Sequence, residues 1–112
     1  MDISPVSIPK TIVSASNSEV KLLRSLHERK YRKKTGWFLA EGARICQEAV
    51  ELGWNMHRLA FIGGSEKQPL TKSLLSGLVL SNGRALPMTE PLLSRISRRD
   101  NAQKFLAAFS QR

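Results

Sequence analysis

Ser16-Asn17-Ser18-Glu19-Val20-Lys21-Leu22-Leu23-Arg24, continued through Lys30-Tyr31-Arg32-Lys33-Lys34-Thr35-Gly36 into Trp37-Phe38-Leu39-Ala40-Glu41-Gly42, reads as a basic helix running straight into an apolar strand. Ser16 with Glu19 three residues on has the spacing of a capping box, so one helix is expected to start there. Val20, Leu23, His27 and Tyr31 share a face, flanked by Leu22 and Leu26, while Lys21, Arg24, Glu28 and Arg32 occupy another. Gly36 follows the Lys33-Lys34-Thr35 end, where cations suit the helix dipole. Trp37 to Ala40 reads as a buried strand.

Between positions 21 and 34 stand seven Lys or Arg against one acid, Glu28, a local charge of +6. A compact domain keeps such a density where an anionic partner meets it, and phosphate chains are the commonest. The whole chain of 112 residues carries +9, with 41% hydrophobic and 24% charged residues. That composition is ordinary for one globular domain; the charge is not, and it points to nucleic acid before an anionic membrane surface. No apolar run approaches the roughly 18 residues that a membrane span needs. Met1-Asp2-Ile3-Ser4-Pro5 lacks the pattern of a secretory signal, so a cytoplasmic location is expected. A single cysteine, Cys46, excludes an intramolecular disulfide and sits on an apolar stripe as a core residue.

Outward from the opening stretch, residues 1–11 read as a flexible lead-in, and Thr11-Ile12-Val13 as a short edge strand. Glu41-Gly42 turns into a second helix with Ile45, Cys46, Ala49 and Val50 on its apolar stripe, closed by a glycine cap at Gly53. Leu59 to Ile62 is a strand closed by Gly63-Gly64. Pro69 suits the first position of a third helix ending near Gly77. Leu78-Val79-Leu80 fits a strand or a helix end equally. Ser81-Asn82-Gly83 is a turn and Arg84 to Met88 a strand. Thr89 caps a fourth helix with Pro91 in its first turn, and Phe105 to Phe109 is a final apolar strand. Strands alternating with helices of this length imply an α/β layered fold.

His27 and His57 have no ligand partners at metal spacing, and no paired carboxylates, nucleophile triad or phosphate-cradling glycine loop appears. Neither a metal site nor catalysis by this chain alone is expected. Trp37 and Trp54 offer faces on which bases can stack, but aromatic residues make up only 6% of the chain, and core packing is favoured even for Trp37, which follows the basic run directly. Arg44 either pairs with Glu48 one turn on or, beside Gly42 where backbone can approach a phosphate, meets RNA; the glycine favours RNA. Asn17 serves equally as a cap and as a base or ribose contact. Glu41 is expected to hold structure, since a carboxylate repels phosphate. Charge on the first helix can also be a solvated face, with Glu28 pairing Arg24 and Arg32, but six uncompensated charges exceed what solubility requires.

Ser16-Asn17, Val20-Lys21, Arg29-Lys30, Arg32, Gly36, Phe38-Leu39, Glu41-Gly42, Arg44 and Glu48-Ala49 together resemble the N-terminal substrate-binding domain of the SpoU/TrmH family of RNA ribose methyltransferases. Glu90 to Ser97, Asn101, Gln103, Leu106 and Ala107 are similar to the elements that close that domain. The resemblance implies an L30e-like three-layer α/β/α fold with a mixed sheet over residues 12–112. It implies a structured RNA partner, ribosomal or transfer; together with the basic run, this gives a candidate RNA-binding set of Asn17, Lys21, Arg29, Lys30, Arg32, Lys33, Lys34 and Arg44. It also implies that methyl transfer is done by a following knotted domain that binds S-adenosylmethionine and mediates homodimerisation. This sequence departs from the pattern in stopping at Arg112, before such a domain, and in carrying Ala102-Gln103-Lys104 where the family has Pro-Gln-Gly. No membrane partner is expected. The alternative is a free-standing L30e-type RNA-binding module with no methylation role.

Overall fold

The computed structural model describes residues 8–98 and 103–111. Residues 1–7 of the expected lead-in lie outside the described set, as do Asn101 and Ala102. Helices and strands alternate as α1 (Ser18–Ser25), α2 (Arg29–Thr35), β1 (Phe38–Glu41), α3 (Ala43–Glu51), β2 (Asn55–Ile62), α4 (Pro69–Leu80), β3 (Arg84–Met88), α5 (Glu90–Ile96) and β4 (Phe105–Ser110). The sheet order is β1-β4-β2-β3. β4 is antiparallel to both neighbours and β2 is parallel to β3, so β1, β2 and β3 all point one way.

Period-two alternation along the strands splits the core into two layers. On one face Ala60, Leu86, Met88, Leu106 and Ala108 meet Val20, Leu23 and Leu26 of the α1 segment and Leu92, Leu93 and Ile96 of α5. On the other, Leu59, Phe61, Ala85, Ala107 and Phe109 meet Cys46 and Ala49 of α3 and Leu74 and Leu78 of α4. This is the expected three-layer α/β/α arrangement with a mixed sheet. Gly77 lies inside α4 against α3, where an added Cβ would sit 2.8 Å from Val50 Cγ2, so the two helices approach more closely than a larger residue permits.

The single helix expected from Ser16 to Thr35 is two helices. Leu26, His27 and Glu28 bond back three residues rather than four, and Glu28 then turns extended at φ −100°, ψ 132°. Arg32 Nη1 donates to the carbonyls of Leu26 (3.0 Å) and His27 (2.8 Å), which the break would otherwise strand. His27 Nε2 donates to the Ile96 carbonyl at 2.6 Å, tying the break to α5. The cap is Asn17, not Ser16: its Oδ1 accepts from Glu19 N–H at 2.8 Å.

Other boundaries shift for local reasons. β2 begins at Asn55, earlier than expected, and α4 runs to Leu80, so Leu78-Val79-Leu80 is a helix end. The edge strand expected at Thr11–Val13 is a single parallel bridge, Ile12 to Met88. Ile45 leaves the apolar stripe and is 41% exposed, because the buried line of α3 runs through Cys46 and Ala49. The Gly53 turn, Pro69 at the start of α4 and the Thr89 cap position stand where the sequence puts them.

Cys46 is fully buried with Sγ 3.9 Å from the Ala40 carbonyl, and burial pushes its thiol up to about 12. Only the thiolate is a strong nucleophile, so native Cys46 should resist thiol reagents at pH 8 and react at the rate of opening. The thiol ionises near its ordinary value only when unfolded, so stability should fall as pH rises above about 9. Alkylation rates with and without urea check the first point; rapid native labelling would contradict the burial.

Candidate nucleic-acid interface

Five of the seven residues of α2 are cations: Arg29, Lys30, Arg32, Lys33 and Lys34. None of the seven is buried. Tyr31, whose ring Lys30 Nζ approaches to 5.0 Å from the centroid, is half-buried. Gly36 ends the helix in the left-handed conformation (φ 74°), and its N–H donates to the Arg32 carbonyl at 2.8 Å. Lys33 and Lys34 thus sit on the last turn, exposed, at the negative end of the helix dipole. Arg32 is half-buried and already committed to the α1–α2 break.

Two ends of the sheet are distinguishable, and the candidate residues divide between them. Glu19 on α1 binds Arg58 and Arg84, which open the paired part of β2 and β3, so α1 starts at the strand-start end with Asn17 and Lys21. α1 finishes near Ile96, and Ser97 Oγ in turn donates to Glu41 Oε1 at 2.7 Å, at the strand-finish end of β1. α2 returns from there to the start of β1. Within α2, Arg29 with Lys33 and Lys30 with Lys34 stand one turn apart on shared faces, so these four cations form one patch. Gly36 and Gly42 bracket β1, roughly 13 Å or more apart at the rise of an extended strand.

Arg44 lies on the other side of the sheet from α1, on α3, with its side chain 92% exposed and 3.3 Å from Glu48. Such an exposed pair is worth only a few tenths of a kcal/mol, about 0.3–0.5, and leaves the guanidinium available to a stronger acceptor. Gly42 before it has φ 109°, and its N–H donates to the Phe105 carbonyl at 2.8 Å. A Cβ at Gly42 would stand 3.0 Å from Gln103 Oε1, so the close neighbour here is the segment leading into β4. Glu41 holds structure, as expected, through Ser97.

A second cluster was not legible in the sequence. A β-bulge between Met56 and Arg58 adds one residue to β2 and turns both His57 and Arg58 towards the α1 side of the sheet. There Trp37 stacks on His57, with centroids 4.4 Å apart and an interplanar angle of 6°, and the Arg58 guanidinium carbon lies 5.2 Å from the Trp37 centroid. His57 Nε2 is 2.7 Å from Ser110 Oγ. Burial and the neighbouring Arg58 charge hold His57 below the ordinary histidine value. Trp54 packs edge-on to Phe38 in the core, as expected. Arg58 and Arg84 stand 26 positions apart and meet only because β2 and β3 pair them in register. Among the described residues no group of three His, Cys, Asp or Glu is placed to hold a metal, and no helix is long and apolar enough to cross a membrane.

The chain is thus an α/β/α domain whose densest positive charge stands on an exposed helical hairpin. The chain belongs to the MRM3-like substrate binding domain family, which matches residues 17–107. Solved enzymes contain the same fold. An rRNA methyltransferase from Sinorhizobium meliloti superposes with a TM-score of 0.79 at 33% identity, over 92% of this chain and 37% of the enzyme. That enzyme has also been solved with AdoMet bound. An RNA 2'-O ribose methyltransferase superposes at 0.74 and 29% identity, over 90% of this chain and 37% of its own. The SpoU methyltransferase AviRb from Streptomyces viridochromogenes, at 23% identity and a TM-score of 0.70, shares the fold. This chain therefore spans a little over a third of the length of the enzymes it resembles. No curated protein matches it.

Proposed function

We propose that this domain grips structured RNA, ribosomal or transfer, for a cytoplasmic S-adenosylmethionine-dependent ribose 2'-O-methyltransferase. The observation that carries the reading is the family match over residues 17–107, seated on a chain whose α2 presents five cations with no buried residue among its seven. Phosphate contacts position an RNA and leave its sequence unread, so the domain supplies affinity and orientation. In the related enzymes the rest of the polypeptide accounts for nearly two-thirds of the length, and the methyl donor, the reacting residues and any dimer contacts are assigned to that remainder.

Within the candidate set, Lys33 and Lys34 are the strongest phosphate contacts, followed by Lys30 and Arg29. Lys21 extends the surface along α1, and Arg44 serves a separate part of the RNA on the α3 side. The test compares two double variants for binding to ribosomal RNA fragments. Lys33→Ala with Lys34→Ala should weaken binding across all fragments alike and reduce the salt slope by about 2, whereas Lys67→Ala with Lys72→Ala, on the α4 side, should change little. Equal losses from the two pairs would mean diffuse attraction with no placed interface.

A further inference from the structure

An open cleft of about 680 Å³ lies at the strand-start end of the sheet, away from Gly42 and Arg44. Ile12 and Leu86 give it an apolar floor, and Lys10, Asn17, Asn82 and Arg84 stand round it. The acid that lines it, Glu19, is already engaged: its carboxylate meets Arg58 Nε at 2.9 Å and Arg84 Nη1 at 3.3 Å. The charged residues that line the cleft, Lys10, Arg84 and Glu19, sum to +1, and Arg58 behind Glu19 adds a further positive charge. The Arg84 side chain is 71% exposed, so the guanidinium offers further donors and a flat face beyond its bond to Glu19.

Asn17 is fixed in the cleft wall by its capping role. Its Oδ1 accepts the Glu19 N–H, which orients the amide plane and leaves the two Nδ2 hydrogens to donate elsewhere. Lys21, one turn on from Asn17, lies on the same face of α1, with Arg24 beyond it. Positive charge therefore continues from the cleft rim along α1 towards α2. An apolar floor, a planar amide donor, an exposed guanidinium and a cationic rim together match one base with its phosphate. A duplex is too wide to enter and offers no unstacked base.

We propose that this cleft takes a single unpaired nucleotide of the RNA whose paired part lies on α2. The base sits over Ile12 and Leu86, Asn17 Nδ2 donates to a base carbonyl or ring nitrogen, and Arg84 and Lys10 meet the phosphate. This rests on the RNA-binding reading above and adds to it a subsite selective for single-stranded RNA, distinct from the phosphate-binding helices.

The test uses a ribosomal RNA hairpin in two forms, blunt and with a single-stranded tail, titrated against the domain and against Asn17→Ser and Arg84→Gln. Serine caps a helix about as well as asparagine, so Asn17→Ser preserves α1 and the net charge while removing the amide donors. The tail should tighten binding to the original domain by about fivefold, the effect of one net hydrogen bond and of burying the base on an aliphatic floor, offset by the ordering cost. Each variant should bring the ratio of tailed to blunt affinity down to about one. Amide resonances of Asn17, Asn82 and Ala85 should move with the tailed hairpin and with uridine 5'-monophosphate, more than with inorganic phosphate alone. Tailed and blunt hairpins binding the original domain equally would overturn the cleft proposal and leave the RNA reading standing. An unchanged ratio in both variants would do the same. Failure of both hairpins to bind at all would overturn the reading on which the proposal rests.

Discussion

Raising the salt from about 50 to about 200 mM should weaken the binding of structured RNA to this domain by about 100-fold, from an affinity in the micromolar range. The size follows from counterion release. If about four phosphates are neutralised, log affinity falls with log salt at a slope of roughly −3.5, and a fourfold rise in salt multiplies that into two decades. Four is a conservative number for a segment with seven cations between positions 21 and 34, because Arg32 is half-buried with its Nη1 donors on backbone carbonyls and the remainder are spread over two helices. Fluorescence anisotropy with a labelled ribosomal RNA fragment at several salt concentrations gives the slope. A slope near zero would remove the electrostatic basis of the proposed function, whatever the affinity at one condition.

Arg32→Ala should destabilise the domain by about 2 kcal/mol, since it deletes two charge-assisted hydrogen bonds and strands two carbonyls at a half-buried break. For a domain of this size that lowers Tm by roughly 10 °C. Arg32→Lys should recover part of the loss, as an ammonium reaches one carbonyl but lacks the guanidinium fork. Lys33→Ala, an exposed change one residue on, should stay within about 0.5 kcal/mol of the original domain. RNA binding of Arg32→Ala should drop by more than one lost charge explains, because the angle at which α2 leaves α1 is no longer fixed. An unchanged Tm in Arg32→Ala would show that the arginine does not hold the break and that its charge alone accounts for its place in the sequence.

The contrast between Arg32 and its neighbours marks what one sequence makes legible. Elements announced by local backbone chemistry were readable: Gly53 at positive φ, Pro69 at the start of α4, and the apolar β4. The α1–α2 break was not, since Leu26-His27-Glu28 contains no proline or glycine and Val20, Leu23 and His27 keep a helical period across it. What breaks it is an arginine side chain reaching back five and six residues, and a histidine bonded to a carbonyl 69 positions away. Tertiary contacts of that kind leave no periodic trace. The positive charge of α2 was equally readable, and its setting on a separate helix after a break was not. The cleft depends on Arg58 and Arg84 meeting through β2–β3 register, and no motif encodes that meeting.

Position in the sheet and position in the chain run in opposite order for β4, the last strand among the described residues, which is hydrogen-bonded to β1 on one side and β2 on the other. On an elongating ribosome β2, α4 and β3 can assemble as they emerge, because they are neighbours in sequence and in space. β1 has no such partner: it waits more than 60 residues for Phe105 to appear. Until then the nascent chain presents two unpaired edges, one on β1 and one on β2, and these are the surfaces that attract other strands. Closure is a single late event that inserts one strand between two. The packed hairpin that carries the α2 cations, and with it the proposed grip on RNA, is therefore completed only after nearly the whole domain has been synthesised.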